Sequence, residues 1–176
     1  MTDATLLERW VRASHVLRGV GPDLLGGHLT YQAQACGRLD VKLRPLDRHY
    51  GSWRSLDGAV DPTLSDYMDL SRLWVMDAYE LVRTLDECMR LGMWIPPAGI
   101  AEELTPLKRA LEEVRIPLAK YQRARSARPR PGDVFPEPRM FAIDGAGWDV
   151  GGATRRVVGR QALAETLLTT LEAGIT

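Results

Sequence analysis

Residues 61–94 read DPTLSDYMDLSRLWVMDAYELVRTLDECMRLGMW, and this stretch decides the fold. Tyr67, Leu70, Ser71, Trp74, Ala78, Leu81, Leu85 and Cys88 recur at steps of three and four, which stacks them on one face of a helix. Val75, Val82 and Met89 widen that stripe into a core-facing side, broader than a coiled-coil seam. Two start signals precede it. Asp61 can cap with Pro62 at the first helical position, or Thr63 and Asp66 can form a capping-box-like pair. Gly92 suits the left-handed residue after a helix, with Met93 placed to fold back on Cys88 or Met89. Pro96 and Pro97 then forbid continuation. At about 1.5 Å per residue the element spans roughly 45 Å, the width of a small domain.

Working outward, Asp3 to Arg18 reads as a first helix with Leu7, Trp10, Val11, Ser14 and Leu17 along one face, ended by Gly19 and Gly21-Pro22. Between His28 and Tyr50 the apolar spacing is Leu29, Ala33, Cys36, then Leu39, Leu43, Leu46, Tyr50. Gly37 and Pro45 make this a kinked helix or two short ones. Residues 51–60 form a loop with Trp53 as an anchor. After the long helix, Ala98 to Leu104 gives a short helical turn. Thr105-Pro106 restarts a helix that runs to about Gln122 through Leu107, Leu111, Val114, Leu118 and Tyr121, kinked at Pro117. The stretch RARSARPRPGDVFPEPR has no periodicity and reads as a loop. MFAIDGAGWDV then alternates around Asp144-Gly145, a hairpin signal, and Arg155 to Val158 can add a third strand. A last helix follows from about Gly159 to Glu172. The expected architecture is a mainly α single domain over 1–176. It is a helical bundle around one long central helix, with 123–158 a linker plus β-hairpin packed on the bundle before the C-terminal helix.

The 176 residues carry 45% hydrophobic and 26% charged side chains with a formal net charge of zero. That is enough for one core, and it creates no global field toward nucleic acid or membranes. No run is long and apolar enough for a membrane span, and the N-terminus carries acids instead of a basic leader. We therefore expect a cytoplasmic protein without membrane or DNA partners. Cys36 and Cys88 fall on apolar helix faces and read as buried free thiols. His15, His28 and His49 are not spaced to ligate a metal together, and no phosphate-binding glycine loop is present, so no metal or cofactor is expected.

Three features carry candidate function. Leu73 and Met76 interrupt the polar side of the long helix. With Trp74 they make its middle apolar nearly all round, which calls for burial from two sides and marks Leu73 and Met76 as a self-association interface. Arg115, Lys120, Arg123, Arg125, Arg128 and Arg130 form a basic segment without acids, with Tyr121 among them, suited to phosphates of an RNA strand. Finally, Arg44-Pro-Leu-Asp-Arg-His49 resembles the Arg-x4–6-His motif of HEPN-type helical bundles, many of them RNA-cleaving. Arg9 to His15 repeats the spacing, and in Arg115 to Lys120 a Lys stands at the His position. The family's usual polar residue after the Arg is here Pro45, Trp10 or Ile116. The resemblance implies a metal-independent ribonuclease or RNA-binding protein, with Arg44 and His49 acting at a dimer interface. The leading expectation remains a non-enzymatic helical domain that associates as a homodimer. A third is a bundle that binds a small ligand between Trp74, Met76, Trp94 and Trp148.

Overall fold

A computed structural model describes residues 3–22, 24–51, 62–120, 138–142, 145–150 and 156–175. In order they form α1 (Asp3–Ser14), a 3₁₀ turn (His15–Gly19), α2 (Leu25–Gly51), α3 (Pro62–Arg90), α4 (Ala98–Lys120), β1 (Pro138–Ala142), β2 (Gly145–Asp149), β3 (Val157–Gly159) and α5 (Arg160–Glu172). The fold is mainly α. Asp61, the loop with Trp53, Tyr121, the arginines at 123, 125, 128 and 130, and Asp144 lie outside the described residues.

The central helix is as its periodicity dictates. Tyr67, Ser71, Trp74, Val75, Ala78, Leu81, Val82, Leu85 and Cys88 are all buried, and Leu70 and Met89 are half-buried against the same core. Its C-terminus closes as a Schellman motif. Gly92 has φ +68°, its N–H donates to Met89 O at 3.1 Å, and the Met93 N–H donates to Cys88 O at 2.9 Å. The helix α3 lies between α2 and α4, while α5 closes the ring between α4 and α1.

Three helices differ from the expectation. The first ends at Ser14 and continues to Gly19 as a 3₁₀ turn, and its buried side is Leu6, Trp10, Ala13, Ser14 and Leu17, with Leu7 and Val11 half-buried. Rather than breaking at Gly37, α2 runs unbroken through Pro45 for 27 residues. Gly37 is there for contact: a Cβ at that position would stand 2.5 Å from Trp10 Cβ, so the missing side chain lets α1 lie against α2. Its buried stripe is Leu29, Ala33, Cys36, Asp40, Leu43, Asp47 and Tyr50, whereas Leu39 and Leu46 are only half-buried. Similarly, α4 is one helix across Thr105-Pro106 rather than a turn and a restart. Ile100, Leu104, Leu107, Leu111 and Val114 are buried at unbroken steps of four and three. Burying that continuous stripe outweighs the backbone hydrogen bond lost at Pro106.

The sheet has the order β1-β2-β3 with both pairs antiparallel. Gly145, with φ +113°, opens β2 and pairs with Ala142. The strand β2 buries Ala146 and Trp148 and packs on α2 and α5, so the bundle covers a sheet too small to stand alone. No helix among the described residues is long and apolar enough to cross a membrane.

Candidate functional site

The most conspicuous polar cluster is inside the core. Asp40 and Asp47 are two turns apart, which puts both on the buried face of α2. Arg160, the first residue of α5, has no solvent exposure and reaches both carboxylates. Its Nη1 lies 2.7 Å from Asp40 Oδ1, and its Nη2 donates to Asp47 Oδ2. Trp10 Nε1 donates to Asp40 Oδ2 at 3.2 Å, and Arg44 Nε donates to Asp40 Oδ1 at 3.1 Å. The Tyr67 hydroxyl donates to Asp47 Oδ1 at 2.6 Å and accepts from the Ala146 N–H. Any Cβ at Gly145 would fall 2.6 Å from both Asp47 Oδ1 and Tyr67 Oη, so glycine is what lets β2 approach the pair. The Arg160 guanidinium also lies over the Trp74 ring, 5.7 Å from its centroid.

Two cations and two anions balance, so the cluster carries no net charge. Burial first, and then Asp47, push the Tyr67 hydroxyl well above its ordinary range and hold it neutral. Burial works against the Arg44 charge, but Asp40 and then Glu165 raise its affinity for the proton above the usual value. Nearly every donor is spent on a neighbour, and the side chains of Asp40, Asp47 and Arg160 are closed to solvent, so a substrate has none of them to meet. The cluster ties α1, α2, α3, β2 and α5 together. It does not present reactive groups.

The residues singled out by sequence are dispersed. Arg44 turns to Asp40 and to Glu165 Oε2, the latter at 3.1 Å. Five residues on, His49 leaves α2 about 140° further round the helix. It is solvent-exposed, with its ring edge-on to Tyr50. In the second pair, Arg9 is bound to Glu172 at 2.8 Å and Glu165 at 3.2 Å, while exposed His15 lies 3.1 Å from Arg18. Arg115 donates to Glu80 Oε1 at 3.2 Å and sits over the Tyr79 ring. Lys120 ends α4. Leu73 is 57% exposed, and Met76 beside it is half-buried.

Trp74, Trp94 and Trp148 are packed in the core rather than lining an opening. Among the described residues, open grooves include one of about 330 Å³ beside Glu103, Glu165 and Thr169 and one of about 440 Å³ along Leu7, Val11 and His15. Cys36 and Cys88 are free and buried, and burial pushes both thiols up, away from the reactive thiolate.

What stands in water instead is apolar, and it is concentrated. Eight large hydrophobic side chains are exposed among the described residues, and five of them sit at one end of the bundle. Leu24 is 86% exposed, Leu91 64%, Met93 42%, Ile95 91% and Ile175 44%. Backbone geometry shows that they share that end. The Gly21 N–H donates to Met93 O at 3.1 Å, which joins the loop before α2 to the loop after α3. Gly99, in the first turn of α4, lies against Ala173 at the end of α5, and Gly174 lies against Val16, Pro97 and Ile100. Tyr31, Leu73 and Val157, the other three, are on separate elements. The 91–97 loop has no regular secondary structure beyond its turn, and it exposes Leu91, Met93 and Ile95 while Trp94 turns into the core.

Compared with protein-family models, curated proteins and solved structures, the chain matches none of them.

Sequence reading missed both features for identifiable reasons. Asp40 and Asp47 occupy stripe positions of α2, and a stripe counted in apolar residues alone steps over them. Counting any residue at the four-three spacing from Leu29 would have found them. The apolar end is assembled from loops far apart in sequence, and LGMWIPP on its own resembles a helix stop.

Proposed function

We propose that this protein works by association with a second copy of itself rather than by catalysis, and that the apolar end of the bundle is the contact surface. The supporting observation is the gathering of Leu24, Leu91, Met93, Ile95 and Ile175 in water at one end. Exposed apolar side chains gathered on one part of a protein surface often mark interaction sites. At these exposures the five amount to about three fully exposed side chains per copy. Covering them in two copies contributes roughly 10–20 kcal/mol. Lost translational and rotational freedom opposes this by about 4–15 kcal/mol. At mid-range the surplus is about 5 kcal/mol, which corresponds to a dimer that forms at roughly 0.1 mM.

The end is preferred over the flank at Leu73 and Met76 for an electrostatic reason. Leu73 has the exposed Asp69 and Arg72 beside it on α3, and a partner seated there would desolvate those charges. Light scattering over a concentration series tests the reading. The unmodified chain should pass from one copy to two, the Leu91→Asp/Ile95→Asp variant should stay at one, and Leu73→Asp should behave as the unmodified chain. A monomer at every concentration contradicts self-association.

A further inference from the structure

We draw no further inference here: the strongest candidate, the outward face of α2 where Arg38, Lys42 and Arg48 stand exposed beside Tyr31, carries nothing, because Asp66 and Asp69 on α3 and Glu8 on α1 are exposed on the neighbouring helices and nothing in the structure shows what would cover it.

Discussion

Replacing Arg160 by Met asks whether the ionic core is a structural requirement. The side chain is fully buried, and Met fills much of its volume without its charge. Asp40 would keep Arg44 and Trp10 as partners, but among the described residues Asp47 would keep only the Tyr67 hydroxyl. An uncompensated buried carboxylate follows, and breaking a buried pair this way costs about 3–5 kcal/mol. Domains have about 5–15 kcal/mol in all, so the loss is a large share. At about 2–4 °C per kcal/mol for a chain of this size, the thermal midpoint should fall by roughly 6–20 °C. The control is Arg160→Met/Asp47→Leu. Here Asp40 and Arg44 remain as a neutral pair, and the remaining loss is the Tyr67 hydrogen bond, about 1 kcal/mol. The double variant should therefore be more stable than Arg160→Met alone, a strong departure from additivity. Urea and thermal unfolding followed by circular dichroism measure both. A single variant within about 1 kcal/mol of the parent, or a double variant whose loss equals the sum of the two singles, would refute the reasoning.

Trp74→Ala removes the largest buried side chain of the central helix and should destabilise by about 3–5 kcal/mol, read from the denaturant midpoint; a midpoint that hardly moves would misplace the core. Stability should also depend on acid in a definite direction. Burial opposes the Asp86 charge, but Lys108 and Arg90 more than offset it and hold this carboxyl below its ordinary 3.8. Arg9 holds Glu172 below its ordinary 4.5 despite partial burial. Both pKa values are depressed on folding, so their contribution is full above those ordinary values and is lost as pH falls through the folded ones. The stability gap between the unmodified chain and Asp86→Asn should be flat at neutral pH and close below about pH 4; a gap that persists in acid would mean that Asp86 acts through packing instead.

How much of this was legible depended on whether one physical signal ruled each segment. In the central helix, apolar spacing, Gly92 and Pro96-Pro97 all agree, and the helix, its buried face and its Schellman end follow. In α2 the signals conflict. Gly37 and Pro45 argue for a break, and Asp40 and Asp47 look like surface residues. Their role appears only when Arg160, more than a hundred positions later, arrives to neutralise them. In α4 the local rule for Pro106 was outweighed by tertiary burial on both sides of it. The pairing of Arg44 with Asp40 is in principle readable as an i,i+4 contact on a helix, and it shows why a short Arg-to-His spacing says little about where either side chain points. The apolar end is a property of topology: Leu24 and Ile95 come to the same end because α2 starts where α3 ends and α4 begins.

The central claim is that the bundle's apolar end is covered by a second copy, and hydroxyl-radical footprinting at low and high protein concentration tests it side chain by side chain. Labelling of Leu24, Leu91, Met93, Ile95 and Ile175 should fall as concentration rises through the dimerisation range, while labelling of Tyr31 and Leu73, whose exposures fall within the same range, stays constant. Protection of Leu73 with the five end residues unchanged, or no protection anywhere, would contradict the account.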